Sequence, residues 1–250
     1  KIVKKISNKF ADIFSKSTDI FIISSHMPIF RQFFLSLKLN QFPVLRFKDE
    51  KKITVNSEFQ LRDAGLLNSF DETDEFDKVL RKILLDIIPQ CYLESFEILL
   101  NQSKTQGWPK NPKSIFTCNA YHADDLFKLW AGRKVEKGSK LIIGQHGGNF
   151  GMTPMAIHES HQIEIADSWL SWGWENTKKK NIIPVGNFKS SFKKIKHSPD
   201  GNILITGMTL PRFSYYLYSV PIASQVESYF DDQIKFAEHL PDQILRFLKV

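Results

Sequence analysis

The chain has 250 residues, 42% hydrophobic and 24% charged, a globular balance with room for one large domain or two small ones. Its net charge of +7 and pI near 9.2 point to an anionic partner. No apolar run approaches the ~20 residues that span a bilayer, and the N-terminus lacks the apolar core and small-residue cleavage site of a signal peptide, so a cytoplasmic chain is expected. Lysine outnumbers arginine, the runs at Lys178 to Lys180 and at Lys193, Lys194 and Lys196 read as solvated faces, and no RNA-binding or zinc-finger pattern occurs; nucleic acid is not an expected partner. Cys91 and Cys118 lie in apolar stretches and read as small buried hydrophobes.

In chain order, Ile2, Ile6, Phe10, Ile13 and Phe14 recur at helical spacing and predict an amphipathic helix over 1–16. Asp19 to Ser25 reads as a buried strand. Pro28 then opens a helix to about Asn40, since proline at a first turn loses no needed N–H, and 43–47 reads as a further strand. His26 falls at that helix start, where the dipole favours anions, although a capping or surface role is the more common one for a helix-entry histidine. Residues 48–73 read as a polar surface excursion. Two scaffold helices follow, roughly 74–88 and 89–103, divided by Pro89, and 106–112 is a turn-rich connector.

Ser114 to Cys118 predicts a strand, with Asn119 to His122 as its exit loop and a helix from Asp124 and Asp125 to near Gly138. Asn119 also suits a helix cap. The central run, Lys140 to Gly151 (KLIIGQHGGNFG), pairs a β-branched and aliphatic strand with glycines that let the backbone leave it sharply. Thr153 and Pro154 predict a helix to about Ala166. It carries His158, Glu159 and His161. The two histidines are three apart rather than the four of a zinc-protease helix, so no metal is assigned there. Asp167 to Trp174 reads as a strand, and Asn181 to Gly186 leads into Asn187, Phe188 and Lys189.

The alternation of strands and helices predicts an α/β fold, a Rossmann-like parallel sheet with flanking helices. Ligands of such sheets bind beyond the carboxyl ends of the strands. That edge collects His26, Asn119, His122, Gln145, His146, Gly147, Gly148 and Asn149, with Lys189 at a later strand exit. A lysine-rich linker over 189–199 marks a domain boundary, placed between 196 and 197. Beyond it come a strand over 203–208, a helix over about 223–240 and a last strand over 244–250. Arg212 lies where a pyrophosphate-binding guanidinium is expected; an interdomain salt bridge is the alternative. The chain reads as cut at both ends.

The strings WPKNPKSIFTCNAYHADDLFKLW, KLIIGQHGGNFG, HESHQIEIADSWLSWGW, VGNFK and PRFSYYLYSVPI, in this order, resemble a transferase family of bacterial surface-carbohydrate (O-antigen and capsule) loci first catalogued in leptospires. The resemblance runs from about Lys5 to Val250. It implies a GT-B-type architecture, in which two Rossmann-like domains face each other across a cleft. Residues 1–196 would be the acceptor-side domain, lacking its own N-terminal part, and 197–250 the truncated start of the nucleotide-sugar domain.

By position, Gln145, His146, Gly147, Gly148, Asn149 and Gly151 match the family's glycine-rich motif, and Glu159 and His161 its helix motif. Asp167, Trp172, Gly173 and Trp174 match its strand motif, Gly186 and Lys189 its short exit motif, and Pro211 and Arg212 its interdomain motif. Cys118 departs from a pattern in which serine is expected in many relatives.

The resemblance implies sugar transfer from a nucleotide-activated donor to a glycan or lipid-linked glycan acceptor. No covalently bound cofactor is implied, metal dependence stays open, and peripheral association at the inner membrane is a further expectation. His146 is the expected general base, because histidine titrates near working pH, with Glu159 and Asp167 as alternatives. Arg212 and the Gly147 and Gly148 amides would stabilise phosphate charge. Two other readings stand beside this one: a CDP-polyol phosphotransferase of cell-surface polymer synthesis, and a non-catalytic basic module at a membrane surface.

Overall fold

Five short apolar runs, each too short and too β-branched or aromatic for a stable helix, form the sheet that organises most of the chain. The computed structural model describes residues 2–44, 74–147, 150–152, 156–189, 198, 201–207 and 225–249. Two units result, Lys1–Ser191 and Phe192–Val250.

In the first unit the order is α1 (Ile2–Phe14), β1 (Phe21–Ile22), α2 (Ile29–Lys38), α3 (Glu75–Ile87), a 3-10 turn (Gln90–Tyr92) and α4 (Phe96–Lys104). Then come β2 (Ser114–Thr117), α5 (Ala120–Ala123), α6 (Asp125–Val135), β3 (Lys140–Gly144), α7 (Ile157–Ile165), β4 (Ser168–Ser171) and β5 (Ile182–Pro184). The strands are all parallel and lie in chain order, β1-β2-β3-β4-β5. Each crossover therefore steps the same way across the sheet, and the right-handed rule puts the crossover helices on one face.

Register explains the core. Phe21 pairs with Ile115 and Ile115 with Leu141, while Ile143 pairs with Trp169 and Trp169 with Ile182, so these side chains share one face. They pack with Leu99 of α4, Leu126, Phe127 and Trp130 of α6, and Ile163 of α7 in a single buried cluster. Each such side chain removed from water contributes about 1.5–3 kcal/mol. On the other face, Phe188 lies against Phe116, with ring centroids 5.7 Å apart. Gly144 makes that contact fit, because a Cβ there would stand 2.8 Å from the Phe188 ring.

Local signals fix the helix starts. The Asp74 carboxylate accepts the Asp77 N–H at 2.8 Å to open α3, and Asp124 accepts the Phe127 N–H at 3.1 Å to open α6, each satisfying an otherwise orphan donor. The second unit holds β6 (Ile203–Leu204), α8 (Gln225–Glu238), α9 (Asp242–Leu245) and β7 (Leu248–Lys249), with β6 and β7 paired in parallel. No helix among the described residues is long and apolar enough to cross a membrane.

Several expected boundaries move. The second scaffold helix starts at Phe96 rather than Pro89, because the chain first makes the 3-10 turn over Gln90–Tyr92. Asn119 to His122 is partly helical rather than loop, since Ala120–Ala123 forms α5. The strand expected over 167–174 ends at Ser171, where Gly173 adopts φ +115°, a conformation that L side chains rarely take. The last strand is only Leu248–Lys249, after the helical turn of α9. Pro43 and Val44 are not in a strand; the remainder of that expected strand, the 48–73 excursion, and Thr153 and Pro154 lie outside the described residues.

Candidate functional site at the carboxyl edge

Beyond β1 the chain adopts an unusual turn. Ser24 and His26 take φ values of 48° and 55°, a left-handed conformation that costs a non-glycine residue about 1–3 kcal/mol and persists only where surroundings impose it. They do so here. The Cys118 N–H donates to the Ser24 carbonyl at 3.1 Å, and the Cys118 thiol donates to the Ser25 carbonyl at 3.1 Å. The buried Ser25 hydroxyl accepts the Met27 N–H at 3.2 Å and bonds Gln32 Oε1 at 3.1 Å. Burial pushes the Cys118 thiol up to about 12, so this residue is a structural donor and not a nucleophile.

Beyond β2, Thr117 Oγ1 accepts the Ala120 N–H at 3.0 Å, which starts α5 and leaves Asn119 and His122 at the edge. The Asn119 side chain hydrogen-bonds His26. His122 meets His158 of α7 edge-on at 5.1 Å, and Tyr121 lies 6.1 Å from the His161 ring.

Beyond β3, Gln145 is 3% exposed and holds the exit loops together. Its Nε2 donates to the Gly147 carbonyl at 2.8 Å. Its Oε1 accepts the Trp172 N–H at 2.9 Å and the Trp174 indole N–H at 3.0 Å, while its backbone carbonyl accepts the Trp172 indole N–H at 2.9 Å. Gly151 lies flat on Trp174, where a Cβ would come within 2.8 Å of the indole, and its N–H donates to the Glu159 carboxylate.

These loops bring four basic groups together. The His26 and His146 rings are 6.3 Å apart and 17° from parallel. His146 is held below the ordinary histidine range, first by burial and then by the charges of His26, Lys189 and His122, against a hydrogen bond to the Cys118 backbone. His26 is also lowered, by burial and then by Lys189, against its bond to Asn119. No carboxylate figures among the charges acting on either ring. His146 Nδ1 is buried without a hydrogen-bond partner.

The structure thus brings His26, Asn119, His122, Gln145, His146, Gly147 and Lys189 to one edge. It does not bring Asp167 there. Asp167 precedes β4, four residues before Ser171, which is roughly 13 Å at about 3.3 Å per residue. Its carboxylate accepts the Leu141 N–H at 2.8 Å and pairs with Lys140 at 2.7 Å, a staple between the starts of two strands. Glu159 reaches the glycine loop through Gly151, and His161 sits by Tyr121. Gln145 has both side-chain polar atoms engaged within the loops, which makes it a positioning residue. Gly148, Asn149 and Arg212 lie outside the described residues. Among the described residues no group of three or more His, Cys, Asp or Glu is placed to hold a metal ion.

Sequence reasoning missed the part played by Ser25 and Phe188 and understated Cys118. No sequence signal announces a positive φ at serine or histidine. The small, buried-type residues facing each other across two strand ends were the only hint.

No match was found among curated proteins or among solved structures. The profile of the LIC12162 family transferases matches residues 1–250. The chain therefore belongs to the LIC12162 family of transferases.

Proposed function

We propose that this transferase is a glycosyltransferase that moves a sugar from a nucleotide-activated donor onto a glycan or lipid-linked glycan acceptor, with the carboxyl edge of the sheet as the acceptor side of its active site. The observation that carries the reading is His146. Its ring is only partly buried and is held below the ordinary histidine range by burial and by the charges of His26, Lys189 and His122, which favours the neutral form that can accept a proton. Such a group takes a proton from an acceptor hydroxyl as its oxygen attacks the sugar carbon, while the nucleotide phosphate departs with the bonding electrons. Lys189 supplies positive charge for the phosphate that leaves. Glu159 holds the glycine loop and Asn119 orients His26. Arg212 belongs to the donor side of this proposal, and peripheral attachment to the cytoplasmic face of the inner membrane is compatible with it.

The same basic edge favours a second reading, transfer of a polyol phosphate from a CDP-activated donor, since imidazoles and an ammonium without a carboxylate suit a phosphoryl group equally well. A thermal-shift screen of the full-length protein against UDP, GDP, CDP and CMP, followed by mass spectrometry of the product, separates the two. A mass increment of one sugar supports the glycosyltransferase; an increment of one polyol phosphate supports the other reading and overturns this one.

A further inference from the structure

A second concentration of charge lies at the other end of the sheet. The connector before β2 and the end of α6 enclose a pocket of about 150 Å³. It lies beside the amino ends of the strands, where the Ser139 hydroxyl donates to the Pro112 carbonyl at 2.7 Å. We propose that Lys104, Lys110, Arg133, Lys134 and Lys137, which line this pocket around Trp108 and Trp130, form an anion site for a phosphate group, carried either by a small soluble ligand or by a lipid headgroup.

Three observations support it. First, the ion pairs of Lys78 with Glu75, Lys128 with Asp125 and Lys140 with Asp167 involve none of the five pocket cations, and no acidic residue lines the pocket. Second, the cations crowd one another. Lys134 is half-buried, its Nζ donates to the Lys110 carbonyl at 2.6 Å, and its pKa is lowered by burial and then by Lys137 and Arg133. Third, the Trp108 indole N–H, in the same wall, is buried without an acceptor.

The plain alternative is that these residues only complement helix dipoles, because Lys104 ends α4 and Arg133 and Lys134 end α6. A helix C-terminus supplies roughly half a negative charge. Two termini offset about one of the five positive charges, so most of the field remains. Size then limits the ligand. Ordinary small-molecule sites measure roughly 300–1,000 Å³, so this pocket takes a phosphate or headgroup rather than a nucleotide sugar. The inference is independent of the transfer chemistry at the other edge.

The test uses the full chain and inorganic phosphate, read as the rise in melting temperature over chloride at matched ionic strength, with vesicle pelleting as a second arm. Phosphate should raise the melting temperature of wild type, and a rise should remain in His26→Gln/His146→Gln. The rise should fall by at least half in Arg133→Gln/Lys134→Gln and in the more exposed Lys104→Gln/Lys110→Gln, which decides if the first variant does not fold. Pelleting with phosphatidylglycerol vesicles but not phosphatidylcholine ones, lost in the same variants, assigns the phosphate to a lipid headgroup; a phosphate response without pelleting assigns it to a soluble ligand. No response beyond chloride in either arm, or responses that both cation variants leave unchanged, would overturn the site.

Discussion

The imidazole rings of His26 and His146 face each other at 6.3 Å, 17° from parallel, although the residues belong to strand exits separated by β2. Cys118, at the end of β2, joins them: its thiol holds the Ser25 carbonyl and its backbone bonds His146. Burial and mutual repulsion make it costly to protonate both rings, so the pair carries less charge than two free histidines would.

Stability should report this pair. Both rings titrate below their unfolded value of about 6.5, so the folded state binds protons less readily than the unfolded chain. The contribution is complete above about pH 6.5 and is lost as pH falls through the lowered folded values. Urea midpoints measured from pH 7.5 to 5 should fall more steeply for wild type than for His26→Gln/His146→Gln. Parallel curves would mean that the rings are not coupled to folding.

Gln145 should matter for folding more than its polarity suggests. Replacement by Ala removes three side-chain hydrogen bonds and strands the Trp172 N–H and the Trp174 indole, at about 1–3 kcal/mol for each unsatisfied group. A loss of roughly 2–4 kcal/mol in denaturant unfolding is expected, with a changed tryptophan near-UV signal. A loss below about 0.5 kcal/mol would remove Gln145 as the tie between the two loops.

Two glycines should respond in opposite directions. Gly132 lies within α6 with nothing within 4 Å of where a Cβ would stand, so Gly132→Ala should stabilise by about 0.5–1 kcal/mol. Gly151 has φ +77° and a Cβ would meet Trp174 at 2.8 Å, so Gly151→Ala should destabilise by about 1–3 kcal/mol. Thermal unfolding of both variants checks the sign.

Asp167 should be dispensable for chemistry. Asp167→Asn keeps an acceptor for the Leu141 N–H and loses the pair with Lys140, whose side chain is 67% exposed; such pairs contribute less than about 1 kcal/mol. Burial opposes ionisation of Asp167, but its bonds from Lys140 and Leu141 prevail and lower its pKa, so its contribution is present above the ordinary carboxylate range and fades only in strong acid. Turnover of the full-length variant should stay within a few-fold of wild type. A hundredfold loss would restore Asp167 as a base.

Much of the sheet was legible because its strands announce themselves. Ser114 to Cys118 and Lys140 to Gly144 are short β-branched and aliphatic runs followed by polar or glycine-rich exits, and parallel order puts those exits on one edge. That was enough to bring Asn119, Gln145 and His146 together. Asp167 enters as an alternative base through the family's strand motif; as the first residue of the run Asp167 to Trp174 it lies at the start of that strand, while Gly173 marks the turn that puts the tryptophans at the exit. Gln145 looked like a ligand contact since a polar residue at a strand end usually is one. Its partners, Trp172 and Trp174, lie on the next strand's exit, a pairing that only the register reveals. The left-handed backbone at Ser24 and His26 is imposed by Cys118, more than 90 residues away, and no local pattern encodes it.

The central claim is that His146 accepts the proton, and turnover of the full-length protein with His146→Gln tests it most directly. A positioned general base contributes about 10²–10⁴-fold, so turnover should fall by at least about 100-fold while the melting temperature and circular dichroism stay close to wild type. Turnover within a few-fold of wild type, in a folded variant, would contradict it.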